Sequence, residues 1–163
     1  MADIKVAGLR ELNRALTELP KRITRRILWS GLMAAATPMV AKAKSLAPVL
    51  QNPDSRRVAG ALKKAIRARP VNDRAHSATV VIGVRKLTVK QIAKFKRKSG
   101  KNGAKNPSDP FYWRFQEFPA AGKPLQRFLK PAFDAGVGIA AETARDKIRA
   151  RIVIEAEKLG RGS

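Results

Sequence analysis

The chain contains no cysteine and a single histidine among its 163 residues. Without cysteine it forms neither disulfides nor thiolate metal sites, which fits folding in a reducing cytoplasm. No apolar run approaches the roughly 18 residues that a membrane-spanning helix needs. The N-terminus also lacks the basic and then apolar regions of a signal peptide. We therefore expect a soluble protein that is made in the cytoplasm and has no membrane partner.

Acidic residues are also scarce, with 12 Asp and Glu against 35 Lys and Arg, for a formal net charge of +23. Such an imbalance causes self-repulsion in a compact monomer and usually indicates an anionic partner. Duplex DNA, with about one negative charge per 1.7 Å of axis, is the obvious candidate. The alternative is an ordinary basic protein whose charges are scattered over its surface.

Groups that perform catalysis are missing as well. His76 lies in a predicted turn with no Ser/Asp constellation near it in sequence, so we interpret it as a solvated turn residue. The carboxylates are scattered singly, whereas metal-dependent nucleases need them clustered. The segment Gly100–Lys105 lacks the Gly-Lys-Ser/Thr ending of a phosphate-binding loop. We expect no catalytic residue, no metal and no cofactor.

Apolar residues at three- and four-residue steps predict three helices. The first is short and stops at Pro20, the second runs from about Lys21 to Leu46, and the third has Pro131 in its first turn and ends at Gly160. Pro38 should kink or split the second helix. The apolar stripes consist of Leu9, Leu12, Leu16 and Leu19; Ile23, Ile27, Leu28, Leu32, Ala35 and Met39; and Val137, Ala141, Ala144, Ile148, Ile152 and Leu159.

Two segments rich in β-branched residues predict a small sheet. The better strand is 78–84, and it should pair with 66–71 through the polar connection 72–77. A short turn or helix at 58–64 precedes them, and Ile4 and Val6 suggest a further short strand or extended arm. We predict an α+β fold, a single domain over residues 1–163, with long helices packed on a small, mainly antiparallel sheet.

A basic insert at about 85–110 follows the strands. Nine Lys or Arg and no acid lie between Arg85 and Lys105. Thr88 and Gln91 have capping-box spacing, which predicts a helix start, and 99–109 looks like a flexible loop. Either these side chains neutralise phosphates without reading sequence, or the insert becomes ordered on acidic neighbouring subunits. Both interpretations stay open, and no motif for specific base readout is visible.

Aromatic residues are concentrated in two neighbouring segments, 111–118 and 123–133. These hold five of the six Phe, the only Tyr and one of the two Trp. Their number exceeds what a small sheet needs, so some should be buried between subunits. Glu117 is the only acid in the first segment, and we expect it to pair with Arg114 or with a backbone donor beside the sheet.

The order of several short motifs along the chain resembles the tail-component family of tailed bacteriophages that is named after gene product 10 of phage HK97. One departure is 119–122, where the family usually has Gly-Thr after Glu-Phe, and another is 51–59, which interrupts a Val-Arg-Thr-Gly run. Loops that contact neighbours are therefore expected to differ. The motifs are Gly8-Leu9-Arg10-Glu11-Leu12, Leu46-Ala47-Pro48, Gly60-Ala61-Leu62-Lys63-Lys64-Ala65-Ile66 with Ala65 for the usual Ser, an aromatic-x-x-Phe-x-Glu-Phe segment at 112–118, and Pro-x-x-x-Phe-Leu-x-Pro-Ala-Phe at 124–133.

This resemblance implies a structural virion protein in tail completion or head–tail joining. Such proteins form rings at the neck that match the sixfold symmetry of the tail tube and surround the DNA path. The implied partners are copies of the chain in a hexameric ring, other neck, tail terminator or tail-tube proteins, and packaged DNA in non-specific contact. The alternative is a free basic nucleic-acid-binding protein of the cytoplasm.

Two sets of residues are the candidates for these contacts. The candidates for facing DNA are Lys90, Lys94, Lys96, Arg97, Lys98, Lys101, Lys105, Arg22, Arg25 and Arg26. The candidates for a subunit interface are Tyr112, Trp113, Phe115, Glu117, Phe118 and Phe128.

Overall fold

Helices make up most of the structure, and one short hairpin completes it. The computed structural model describes residues 9–17, 19–51, 57–71, 77–119 and 125–160. The α+β fold class predicted from the sequence is confirmed. In chain order the elements are α1 (Leu9–Thr17), α2 (Lys21–Leu46), α3 (Ala61–Ala65), β1 (Ile66–Val71), β2 (Thr79–Val84), α4 (Val89–Ser99), a 3-10 helix (Gly103–Lys105), α5 (Trp113–Glu117) and α6 (Leu129–Gly160).

The described residues divide into two compact units. The first, here called the helical unit, takes its residues from 1–39, 68–81 and 135–163, and the second, the aromatic unit, from 40–67 and 82–134. Both strands, α2 and α6 contribute residues to each unit. The single domain over 1–163 stays a prediction.

The longest predicted helix of the N-terminal half, α2, has the expected bounds, and Ala47-Pro48 follows its last turn. Pro38 lies inside α2 with an exposed side chain, and the helix is not split there. A proline in a helix interior removes one backbone hydrogen bond at a cost of about 3 kcal/mol. Burial of Ala35 and Met39, on either side of the proline, offsets this loss.

The core of the helical unit forms from α1, α2 and α6. Leu16, Ile27 and Ile148 are buried together. The Thr24 hydroxyl donates to the Leu16 carbonyl oxygen at 3.1 Å, which ties the start of α2 to the end of α1. Members of each of the three predicted apolar stripes therefore meet in one cluster, while the side chains of Leu9 and Leu159 lie outside the described ones. Partly buried side chains around it come from Leu12, Leu19, Ile23, Leu28 and Ile152.

In α6, the buried stripe differs slightly from the predicted one. Pro131 lies in the first turn, as expected. Ala144 and Ile148 are buried, but Ala140 is buried with them, whereas Ala141 is only half-buried. The buried positions therefore follow a four-residue step, which is the spacing of a side-chain ridge along a helix.

The core of the aromatic unit contains the largest fully buried side chains described in the chain, Phe128, Leu62 and Ile66. They pack with Ala43 and Ala47, near the end of α2. Helices and sheet share this core, since Ile66 belongs to β1. Other side chains packed against it come from Ala132, Val40, Val84, Tyr112, Trp113 and Leu129.

The two strands pair with each other, as the sequence predicts, in a two-stranded antiparallel sheet. The Arg85 amide donates to the Ala65 carbonyl oxygen at 2.9 Å and extends the ladder beyond the strand ends. The connection at 72–76, which contains His76, lies outside the described residues, as do Ile4 and Val6.

The helix predicted in the basic insert is present as α4. The Thr88 hydroxyl accepts from the Gln91 amide and the Gln91 side chain accepts from the Thr88 amide, so the predicted capping box is confirmed. Gly100 ends α4 with a φ of 65°, a left-handed conformation that glycine adopts without strain. Residues 99–109, predicted as a flexible loop, contain the 3-10 helix and hydrogen-bonded turns.

Candidate functional site

Glu117 links residues 111–118, here called the aromatic segment, to the start of α6. One of its carboxylate oxygens accepts from the amides of Phe128 and Leu129, both at 3.0 Å, and the other accepts from the Lys130 amide at 2.9 Å. These amides belong to the unpaired donors that every helix N-terminus leaves, and they favour a negative charge. Glu117 is only 7% exposed. Its expected backbone partner is thus found, although the donors lie at the start of α6 and not beside the sheet.

Arg57 holds the loop that precedes α5. Its guanidinium donates to the carbonyl oxygen of Asn106 at 3.0 Å and lies 4.7 Å from the centroid of the Phe111 ring. The Val58 amide adds a bond to the Pro107 carbonyl oxygen at 3.0 Å. Arg57 is separated from this loop by about fifty residues in the chain, so no local sequence signal identified it or the buried Asn106.

The aromatic side chains of residues 111–118 divide into a half-buried group and an exposed group. Tyr112 and Trp113 are half-buried against the core, whereas Phe111, Phe115 and Phe118 are exposed. The Phe111 and Phe115 rings meet edge to face, with centroids 6.4 Å apart. Three large apolar side chains within eight residues therefore face solvent in this chain.

A groove of about 470 Å³ lies beside these rings, within the aromatic unit. Arg85, Lys86 and Arg114 contribute its positive charges. Asp109 also lies along it, where its carboxylate accepts from the Phe111 amide at 3.1 Å. The apolar part of the lining comes from Val84, Leu87, Ile92, Pro110, Phe111, Trp113 and Phe115.

Two of the six candidates for a subunit interface, Phe128 and Glu117, are buried. Phe128 is fully buried in the core of the aromatic unit, and the Glu117 carboxylate is used by α6. Neither has the exposed area that an interface requires, because each serves the interior of its own chain. The proposal of an interface is therefore carried by the exposed or half-exposed residues Tyr112, Trp113, Phe115 and Phe118.

Nine of the ten candidates for facing DNA are exposed, and they come from both units. Those in the insert are exposed on α4 and on the loop that follows it, and α4 has no buried residue among its described positions. In the helical unit, Arg22 and Arg26 are exposed. Arg25 is half-buried, with its guanidinium 5.8 Å from the centroid of the Trp29 ring. Within the described part of the chain, none of the ten candidates forms an ion pair.

Among the described residues, no group of three or more His, Asp or Glu could hold a metal ion. No described helix is both long enough and apolar enough to cross a membrane.

Comparison with known proteins identifies the family. No curated protein and no solved structure matches the chain. The sequence model of the HK97-gp10-like family, bacteriophage tail components, matches residues 10–118, which is more than half of the 163 residues. This range includes the long helix α2, the hairpin, the basic insert and the aromatic segment up to Phe118. The chain therefore belongs to the HK97-gp10-like family of bacteriophage tail components.

Proposed function

We propose that this protein is a tail-completion or head–tail joining component that forms a ring, most simply a hexamer, where the neck meets the tail. The family match over residues 10–118 carries this proposal. In this role the protein is structural and has no catalytic activity. It assembles in the host cytoplasm and becomes part of the virion.

The charge of the chain supports a position close to the DNA path. A net charge of +23 is unfavourable in a ring of identical copies unless anions lie near it. Packaged DNA supplies such charge without requiring sequence recognition. The exposed cations of α4, which have no described acidic partner, are the residues that we place nearest to the DNA.

The aromatic segment supports contact with protein. Phe115 and Phe118 are large apolar side chains in the exposed class, next to the half-buried Trp113. Aromatic residues and Arg are enriched in protein interfaces, whereas Lys is depleted. We therefore assign this segment to contacts within the ring or with neighbouring neck, tail terminator or tail-tube proteins.

The test is the composition and structure of phage particles that carry the protein. We expect mass spectrometry to detect the chain in purified tails, and electron microscopy to show a closed ring on the tail axis. If the ring surrounds the DNA path, α4 should line its inner surface. A protein that is absent from particles and is purified as a monomer bound to DNA or RNA would instead support the free nucleic-acid-binding alternative.

A further inference from the structure

The groove of the aromatic unit combines an apolar lining with cations that the described chain does not neutralise. Phe111 and Phe115, on one wall, are 48% and 43% exposed. Arg85, Lys86 and Arg114, along the same groove, form no ion pair among the described residues. Exposed apolar patches bordered by charge mark binding sites for other molecules.

The groove is held in shape before any partner binds. Arg57 donates to the carbonyl oxygen of Asn106 and covers one face of the Phe111 ring. The Asp109 carboxylate accepts from the Phe111 amide. These contacts fix the wall that carries Phe111 and Phe115, and a preformed wall reduces the entropy lost on binding.

The chemistry of the groove favours an acidic and apolar protein segment as its occupant. A second copy of the chain is a poor candidate for this groove because its 12 Asp and Glu are scattered singly among 35 Lys and Arg. Single-stranded nucleic acid binds by stacking bases on open aromatic faces. Here Arg57 occupies a face of Phe111, and Phe111 meets Phe115 at an interplanar angle of 90°. The two rings are therefore perpendicular and do not form a continuous flat surface on which successive bases could stack.

We propose that this groove binds a segment of a different tail or neck protein, in which Glu or Asp residues alternate with large apolar residues. The apolar side chains lie against Phe111, Phe115 and Ile92, and the carboxylates pair with Arg85, Lys86 and Arg114. This inference rests on the proposed function, since it names the kind of partner that a structural tail component contacts. It also assigns Phe115 to another protein, not to a neighbouring copy.

A first experiment uses synthetic peptides and the fluorescence of Trp113. The variant Trp29→Phe leaves Trp113, in the groove, as the only tryptophan. The probe is a 12-residue peptide that alternates Glu with Leu and Phe. One control peptide has Ser for Leu and Phe, and another has Gln for Glu. We expect the probe to change the Trp113 emission and to bind about tenfold more tightly than either control. Equal binding of the Ser peptide, or no binding of the probe, would overturn the proposal.

Matched variants locate the binding. Phe115→Ser and the double variant Arg85→Glu/Lys86→Glu should each weaken binding of the probe about tenfold. The control Lys63→Glu/Lys64→Glu makes the same change in net charge on exposed residues of α3 outside the groove, and it should leave binding within about twofold. If both double variants weaken binding equally, the loss comes from the change in net charge and not from the groove, and the proposal is overturned. An oligothymidine that binds more tightly than the probe and depends on Phe115 would overturn the proposal in favour of nucleic acid.

A second experiment uses assembled particles. A photoreactive phenylalanine analogue at position 115 should cross-link to a segment of a different phage protein with more acidic than basic residues. Cross-links to another copy of this chain, or to DNA, would refute the inference while leaving the structural role intact. Absence of the chain from particles would instead refute the proposed function, and the peptide measurements would still decide the chemistry of the groove.

Discussion

At the scale of single residues, Glu117 shows how a buried carboxylate is used in this chain. A charge removed from water is costly unless hydrogen bonds compensate it. Here three backbone amides at the start of α6, those of Phe128, Leu129 and Lys130, do so at 2.9–3.0 Å. The same bonds join the end of α5 to the start of α6 across a segment of more than ten residues. Glu117 is therefore a structural residue of the aromatic segment.

Replacing this carboxylate tests that role. Glu117→Ala leaves the amides of Phe128, Leu129 and Lys130 without their acceptor, and the free energy of unfolding should fall by about 3 kcal/mol. Glu117→Gln keeps one acceptor oxygen and should lose less. Urea denaturation measures both effects, with Glu157→Ala on the exposed surface of α6 as the control. A loss from Glu117→Ala no larger than that from the control would contradict the capping role.

At the scale of elements, the close approach of α2 and α6 in the helical unit depends on a glycine. A Cβ atom at Gly31 would lie 2.9 Å from Ile148 Cδ1 and 3.0 Å from the Ala144 carbonyl oxygen. A backbone oxygen of a packed helix cannot move away as the end of a flexible side chain can. Glycine at position 31 lowers helix stability by about 1 kcal/mol relative to alanine, but it leaves room for α6 to pack closely against α2.

A pair of glycine substitutions separates packing from propensity. Gly31→Ala should destabilise the protein by about 1–3 kcal/mol, because the added methyl overpacks the contact with α6. Gly138→Ala, in α6, meets no atom within 4 Å and should stabilise by up to about 1 kcal/mol. Thermal or urea unfolding of both variants gives the comparison. Stabilisation by Gly31→Ala would show that the two helices separate easily at this point.

At the scale of the whole molecule, charge is the dominant property. The chain has 35 basic and only 12 acidic residues, so there are too few acids to pair each cation with a carboxylate of its own. Lys90, Lys94 and Lys98 are exposed on α4, which buries no residue. Because α4 contributes little to the core, its side chains can change without loss of the fold, and its charge is available for external partners.

Neutralising α4 tests where that charge acts. Changing Lys90, Lys94 and Lys98 together to Gln should weaken binding to duplex DNA without sequence preference. It should also lower the slope of log K against log salt by about 0.9 for each lost phosphate contact. The control changes Lys42, Lys63 and Lys64, also exposed, to Gln. If the α4 variant blocks tail joining while DNA binding is unchanged, the charges meet acidic protein surfaces and not DNA.

Much of the secondary structure could be predicted from local sequence. The bounds of α2, the capping box at Thr88 and the pairing of the two strands follow from periodicity, caps and β-branched residues. The stripe of α6 was right at Ala144 and Ile148 but misplaced at Ala141, since tertiary packing, and not the helical period, decides which of two adjacent alanines is covered. The order of the motifs also predicted the family, because such motifs stay recognisable when the loops between them change.

The amino-acid sequence by itself determined the four longer helices α1, α2, α4 and α6, the hairpin, the excess of positive charge and the family, because each depends on residues that are near one another in the chain or on simple composition. Only the tertiary structure decided which aromatic side chains are buried and which remain exposed. It placed Phe128 in the core and left Phe115 at the groove, and it brought Arg57 to Asn106 and Glu117 to the start of α6. These contacts join residues that are distant in sequence, and no local pattern specifies such pairs.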